Sequence, residues 1–240
     1  MWQRLPDTGG LKSMNKIEDA FKNKKAFIPF VTAGDPSLDV TRELILAMQE
    51  AGADLIEIGI PFSDPVAEGP VIQEADDRAL SAGVTTDKIF DMVDDIADKI
   101  HVPIVFMTYI NPIYVYGVEK FAKRAKACGA AGVIVPDVPF EEKEEIRGSF
   151  EAEGLVVISM VAPTSADRVR MIAKEAKGFL YCVSSLGVTG VRTEIGTAIG
   201  DLIQTVKEEC SIPCAIGFGI STPEQAEAMA KISDGAIVGS

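Results

Sequence analysis

The chain has 240 residues, and its hydrophobic content of 47% is enough for a sizeable buried core. Its 36 acidic and 23 basic residues give a formal net charge of −13, which disfavours binding to nucleic acid or to an anionic membrane surface. No apolar run reaches the roughly 18 residues that a membrane-spanning helix needs, and the amino terminus does not resemble a secretory signal. We therefore expect a cytoplasmic protein.

Two alternating sets of segments predict the fold. Short apolar segments predict eight β-strands, at residues 27–31, 55–60, 104–107, 132–135, 156–160, 179–183, 214–216 and 236–238. Amphipathic segments between them predict helices at residues 38–51, 86–100, 118–128, 141–153, 166–175, 197–209 and 223–230. Such alternation is typical of parallel strands with right-handed crossovers, and eight units favour an α/β fold of the (β/α)8 TIM-barrel type over a doubly wound sheet.

The second predicted strand contains a carboxylate, Glu57, within an otherwise apolar run. A buried unpaired carboxylate is costly, so such a residue is more often paired, ligated or catalytic. The alternative is an ion pair with a neighbouring strand, but the predicted strands contain no lysine or arginine. We therefore predict that Glu57 is a general acid or base whose pKa is raised toward neutrality.

The segment after this strand, residues 61–70, carries two further acids, Asp64 and Glu68. The active site of a TIM barrel lies at the carboxyl ends of its strands, so either acid could supply a second carboxylate to the site. A solvated turn or a helix cap is the favoured role of Asp64.

Glycines are concentrated after the last three predicted strands, in residues 184–190, 217–221 and 239–240. Glycine lets backbone N–H groups approach an anion closely, so these segments predict a phosphate site, with simple tight turns as the alternative. Residues 184–196 form a long glycine-containing connection, which predicts a movable lid or a disordered loop.

The cysteines and the single histidine do not indicate a metal site. Cys128, Cys182, Cys210 and Cys214 form no C-x-x-C pair, and His101 is distant from them in the sequence. We expect reduced thiols, a loop histidine and no bound metal.

Five motifs together resemble the α subunit of tryptophan synthase. They are PFVTAGDP at residues 29–36, EIGIPFSDP at 57–65 with Gly69, Pro70 and Gln73, DVP at 137–139, GVTG at 187–190, and GFGIS at 217–221. The resemblance covers about Met14 to Ser240, which predicts a single TIM-barrel domain over residues 14–240, with residues 1–13 as an extension or a cloning remnant. It implies a lyase that cleaves indole-3-glycerol phosphate to indole and glyceraldehyde 3-phosphate in a retro-aldol reaction.

The resemblance implies two catalytic carboxylates. Glu57 matches the acid and base that protonates indole C3 and removes the glycerol proton, and Glu68 matches the group that accepts the indole N–H. The family commonly has aspartate at the second position. The extra methylene of Glu68 moves the carboxylate by about one ångström unless the loop adjusts.

The resemblance also implies positions that bind the substrate and the partner. The substrate positions are Phe30, Met107, Tyr109, Tyr181, Thr189, Gly190, Gly217, Gly219, Gly239 and Ser240. The implied partner is a pyridoxal-phosphate-dependent β subunit in an α2β2 heterotetramer, which Pro61 and Asp64 would face. No cofactor is expected in this chain. Because the family continues with a closing helix after the eighth strand, we expect a longer active polypeptide.

Two alternatives remain open from the sequence. One is another phosphate-binding barrel enzyme, an isomerase or a synthase that acts on a related indole or ribose phosphate. The other is a non-catalytic barrel that binds and activates a partner subunit. Indole release by the chain, with and without the partner, distinguishes these alternatives from the lyase.

Overall fold

A computed structural model describes residues 17–183, 192–217, 219–220 and 222–239, with the backbone alone described for residues 192–197. The predicted barrel is confirmed, because eight parallel strands pair in chain order and β8 closes the sheet against β1. The strands are β1 Ala26–Thr32, β2 Ile56–Gly59, β3 Ile104–Met107, β4 Gly132–Ile134, β5 Val156–Val161, β6 Leu180–Val183, β7 Cys214–Gly217 and β8 Gly235–Val238.

Helices connect these strands on the outside of the barrel. They are α1 Leu38–Glu50, α2 Pro70–Ser81, α3 Thr86–Ile96, α4 Ile110–Tyr116, α5 Val118–Ala127, α6 Glu144–Ala152, α7 Ala166–Glu175, α8 Arg192–Glu209 and α9 Pro223–Ile232. Short 3-10 turns lie at Ile17–Phe21, Ala97–Lys99 and Phe140–Glu142. In the part of the chain described here, no helix is long and apolar enough to cross a membrane.

Helices α2 and α4 were not predicted, and the composition of each explains why. The buried residues of α2 are Ala75, Asp76 and Ala79, so the helix has no stripe of large apolar side chains facing the barrel. Helix α4 spans two turns and buries Ile113 alone. The predicted helix at 141–153 is split, because a 3-10 turn at Phe140–Glu142 precedes α6.

Buried side chains pack in two layers, on either side of the sheet. Alternate residues of each strand point to opposite faces. Val105 and Met107 of β3 pack inside the barrel, whereas Phe106 faces the helices. There Phe106 meets Phe90 of α3 edge to face, with ring centroids 5.2 Å apart. This alternation determines which residues of β1, β2 and β6 reach the interior of the barrel.

Candidate active site

A cavity of about 300 Å³ opens at the carboxyl ends of the strands, where a TIM barrel carries its active site. Side chains inside the barrel form its floor, and the segment between β2 and α2 forms part of its wall. The residues that line it are Phe30, Glu57, Glu68, Gly69, Pro70, Val71, Ile72, Met107, Tyr181, Gly219, Ile220, Ile237 and Gly239.

Glu57 is the buried acid of this cavity. It is the second residue of β2, where it pairs with Phe30 of β1 and Val105 of β3, and it is 1% exposed. Neither carboxyl oxygen has a hydrogen-bond partner among the described residues. Burial raises the pKa of Glu57 to about 8, with a further contribution from the negative charge of Glu68. Glu57 is therefore mostly protonated at neutral pH and able to donate a proton.

Glu68 supplies a second carboxylate to the same cavity. Burial raises the pKa of Glu68, and a hydrogen bond from the Tyr109 hydroxyl, with an oxygen–oxygen distance of 3.4 Å, opposes that rise. Because proximity to Glu68 makes a second negative charge costly, it favours the protonated form of Glu57. The cavity thus brings together two carboxyl groups whose pKa values are both raised.

Contacts with two neighbouring elements hold the segment of residues 61–69, here called loop 2. The Tyr109 hydroxyl accepts the Ala67 N–H at 3.0 Å, and the Phe62 ring packs on the Tyr109 ring with centroids 5.5 Å apart. The Gln73 side chain donates to the Glu68 carbonyl at 2.8 Å. Tyr109 therefore contacts Glu68 and loop 2 but does not line the cavity.

The structure separates the two acids of loop 2. Asp64 is exposed, accepts a hydrogen bond from the Ser63 hydroxyl at 2.6 Å and does not line the cavity. Of these two acids, Glu68 alone lines it. Pro61, for which the family resemblance implies a partner-facing position, is buried within this chain, whereas Asp64 is exposed at the surface.

The apolar wall of the cavity depends on close contact between aromatic rings and glycines. Phe30 lies over Gly59 of β2, where a Cβ would come within 2.5 Å of the ring. Met107 and Tyr181, both buried, complete this wall, at positions for which the family resemblance implies contact with the substrate. Such a surface suits a flat aromatic group.

The predicted glycines have different structural roles. Gly219 has a φ of +73°, in the left-handed region that favours glycine, and it lines the cavity with Gly239. Gly217 does not line it and instead makes room for Tyr181, because a Cβ there would lie 2.3 Å from the tyrosine hydroxyl. Thr189, Gly190 and Ser240 lie outside the described residues, as does most of the predicted lid.

Several residues that line or support the site were not among the predicted site residues. Ile72, Ile220 and Ile237 line the cavity, and isolated apolar residues of this kind carry no functional signal in a sequence. Asp76 is buried on α2, and an acid on the inner face of that helix could have been noticed only if the helix had been predicted. Asp137, within the DVP motif, accepts the Ile110 N–H at 3.0 Å and so holds the start of α4 beside Tyr109.

Two other features of the described residues lie apart from this cavity. No group of three or more histidine, cysteine, aspartate or glutamate side chains in that part of the chain is arranged to hold a metal ion. A separate cavity of about 230 Å³ lies between α6 and α7, where Lys143 and Glu175 form an ion pair at 2.6 Å across its rim. None of the predicted site residues lines that second cavity.

Comparison with known proteins identifies one family. The chain matches the sequence model described as "Tryptophan synthase alpha chain" over residues 17–240. It is 48% identical over 227 residues to the protein of that name from Lacticaseibacillus casei, with 95% of this chain and 85% of the relative covered. The counterpart from Halalkalibacterium halodurans is 49% identical over 229 residues, with 95% and 86% covered. The solved structure of tryptophan synthase subunit alpha from Legionella pneumophila has a TM-score of 0.85 at 38% identity, with 95% of this chain and 87% of that chain covered.

Proposed function

The chain belongs to the tryptophan synthase alpha chain family, and we propose that its Glu57 and Glu68 are the two catalytic carboxylates of that family's lyase reaction. The reaction is the retro-aldol cleavage of indole-3-glycerol phosphate to indole and glyceraldehyde 3-phosphate, a step of tryptophan biosynthesis. The observation that carries the assignment of residues is the presence of the buried Glu57 and of Glu68 in the lining of one cavity.

The first step is proton transfer from Glu57 to C3 of the indole ring. Its carboxylic acid is protonated at neutral pH and lies in a wall of apolar side chains, so it can deliver a proton without competition from bulk water. Protonation at C3 interrupts the aromatic ring and leaves positive charge on the indole nitrogen. The bond between C3 and the glycerol chain can then break, because its electrons move into the ring toward the positively charged nitrogen.

The second carboxylate stabilises the charge that the first step creates. Glu68, with Tyr109 donating to one of its oxygens, would accept the indole N–H and offset the positive charge on the ring. As the carbon–carbon bond breaks, its electrons restore the indole ring. The glycerol hydroxyl becomes the aldehyde and returns its proton to Glu57, so the acid is regenerated.

The phosphate of the substrate would bind at the ends of β7 and β8. Gly219 and Gly239 follow these strands and line the cavity, and both are exposed, so their backbone is accessible to an anion. We propose that Thr189, Gly190 and Ser240, which lie outside the described residues, complete the substrate site. Phe30, Met107 and Tyr181 would contact the indole, and Tyr109 and Gly217 would support the site indirectly.

The partner is the tryptophan synthase β subunit, in an α2β2 complex, and pyridoxal phosphate belongs to that subunit. We propose that the partner docks beside the cavity mouth, on loop 2 and helices α2 and α4. Val66 and Val115 are 81% and 83% exposed there, and Val71 and Tyr114 are exposed as well. An apolar group of this kind at a rim suits a protein partner, and the exposed Asp64 lies on the same loop.

Two further assignments are proposed with this function. All four cysteines, Cys128, Cys182, Cys210 and Cys214, are free thiols, which is typical of a reducing compartment and supports a cytoplasmic location. Residues 14–240 are proposed to form one TIM-barrel domain, with residues 1–13 as an extension outside the described residues.

The proposed roles are tested by indole formation from indole-3-glycerol phosphate, measured with and without the β subunit. Glu57→Gln should abolish indole release, whereas the control Glu50→Gln, at the exposed end of α1, should leave it unchanged. The Glu57→Gln chain should still stimulate the β subunit, because the proposed docking surface is intact. Indole release at the wild-type rate by Glu57→Gln would remove Glu57 from the mechanism.

A further inference from the structure

Glu68 lies at the junction between loop 2 and helix α2, and this junction forms part of the cavity wall. Gly69, which follows Glu68, is the N-cap residue of α2, and Pro70 and Ile72 of the first turn line the cavity. Glycine has no side chain that could accept a hydrogen bond from the start of the helix, so Gly69 does not fix the junction as a serine or an aspartate would. Whether the Glu68 carboxylate stays in the cavity therefore depends on what else holds the main chain at this point.

Gln73 of α2 holds two successive carbonyl groups of this junction. Its backbone N–H donates to the Gly69 carbonyl at 3.1 Å, as expected in a helix. Its side-chain amide donates to the Glu68 carbonyl, which lies outside the helix, at 2.8 Å. Gln73 itself is exposed and does not line the cavity. Its side chain therefore affects the path of the main chain rather than the lining of the cavity.

Tyr109 holds the other end of the same short segment. Its hydroxyl accepts the Ala67 N–H at 3.0 Å, so only the backbone of Ala67 and Glu68 lies between this contact and the one that Gln73 makes. The Tyr109 hydroxyl also donates to the Glu68 carboxylate, but the oxygen–oxygen distance of 3.4 Å is long for such a hydrogen bond. The direction of the Glu68 side chain therefore depends mainly on how its backbone is held.

We propose that Gln73 is a positioning residue, whose side-chain hydrogen bond to the Glu68 carbonyl fixes the main chain at the start of α2 and keeps the Glu68 carboxylate in the cavity. This inference rests on the proposed function of Glu68. Without the Gln73 amide, the Glu68 peptide group can rotate and carry the side chain with it. A displacement of about 1 Å at a catalytic group can cost about a hundredfold in rate, and the remaining contacts of Tyr109 limit the displacement here.

A matched pair of substitutions tests this role. Gln73→Met keeps the length of the side chain and removes the donor. Gln204→Met is the control, because the exposed Gln204 of α8 donates to Glu208 at 3.0 Å and does not line the cavity. We expect Gln73→Met to lower kcat for indole formation, measured with the β subunit, by about tenfold, with KM changed by less than about threefold. Gln204→Met should leave both constants unchanged.

Hydrogen–deuterium exchange supplies a readout that does not depend on activity. The Ala67 amide, which donates to the Tyr109 hydroxyl, should be protected in the wild type and in Gln204→Met, and it should exchange faster in Gln73→Met. Should Gln73→Met fail to fold, Gln73→Glu has the same shape without a donor at neutral pH and replaces it in both measurements. Wild-type kcat together with wild-type exchange at Ala67 in the variant without a donor would overturn the inference.

The Glu68→Ala background shows whether the effect of Gln73 passes through the Glu68 carboxylate. In that background Gln73→Met should lower the residual rate by less than about twofold, because no carboxylate remains to be positioned. An equal loss of kcat in both backgrounds would overturn the inference. If Glu68→Ala alone retains full activity, the proposed function of Glu68 is wrong, whatever Gln73→Met does. If Glu68→Ala loses activity and Gln73→Met has wild-type kcat, the role of Glu68 stands and the positioning role of Gln73 is wrong.

Discussion

Replacing Glu57 with glutamine should change how the stability of the protein depends on pH. The buried Glu57 carboxyl has a pKa of about 8, against an ordinary value of 4.5. The native protein therefore binds this proton more tightly than the unfolded chain does. Its contribution to stability is complete below pH 4.5 and is lost progressively as the pH rises to about 8. Above that pH, the native state has to bury an ionised carboxylate.

The size of the effect follows from the two pKa values. At about 1.4 kcal/mol per pH unit, the difference between 4.5 and about 8 corresponds to about 5 kcal/mol at pH 9 and to about 3 kcal/mol at pH 7. The glutamine side chain of the variant cannot ionise, so it avoids this loss. Relative to the wild type, the free energy of unfolding of Glu57→Gln should therefore rise by about 4 kcal/mol between pH 5 and pH 9.

Urea unfolding at pH 5, 7 and 9 measures this difference, since the midpoint and the slope together give the free energy of unfolding. Subtraction of the wild-type curve cancels the other titrating groups, and Glu50→Gln, at the exposed end of α1, is measured in parallel as a control. If the free energy of unfolding depended on pH in the same way for the wild type and Glu57→Gln, the reasoning would be refuted. Glu57 would then have an ordinary pKa in the folded chain.

Three other substitutions test separate parts of the site. Glu68→Asp should retain indole formation and Glu68→Ala should lose most of it; turnover near wild type in the alanine variant would exclude Glu68 from the reaction. Gly217→Ala should lower the free energy of unfolding in urea by about 1–3 kcal/mol, because the new methyl group meets the Tyr181 hydroxyl. The control Gly148→Ala has open space around its Cβ and should be neutral or slightly stabilising. Val115→Glu should weaken binding of the β subunit in a titration by at least tenfold and leave unaided indole formation intact; unchanged affinity would exclude α4 from the interface.

The sequence was most informative where burial is complete. Strands of a TIM barrel are covered on both faces, so their sequences are apolar runs. The structure confirms all eight predicted strands within a residue or two of the predicted bounds. Glu57 interrupted one of these runs, which made it recognisable as a candidate site residue without any structural information. Its position inside the barrel, paired with Phe30 and Val105, came from the strand register.

The sequence was least informative where a residue acts through a contact distant along the chain. Whether Asp64 or Glu68 enters the cavity depends on the path of loop 2, which contacts Tyr109 and Gln73 from outside the loop. The role of Gly217 likewise depends on the Tyr181 side chain of the neighbouring strand. Neither relation has a periodicity or a spacing that can be read along one chain.

The packing of Phe30 against Gly59 and Gly239 makes substitutions at these three positions dependent on one another. Its ring occupies the space that a side chain would need at Gly59 of β2 and closely approaches Gly239, which follows β8. Alanine at position 59 would require a smaller residue at position 30. A smaller residue at position 30 alone would leave a cavity unless position 59 or 239 gained a side chain. Substitutions at these three positions should therefore be tolerated in combination and disfavoured singly, so that engineered changes in pocket shape have to be introduced as a set.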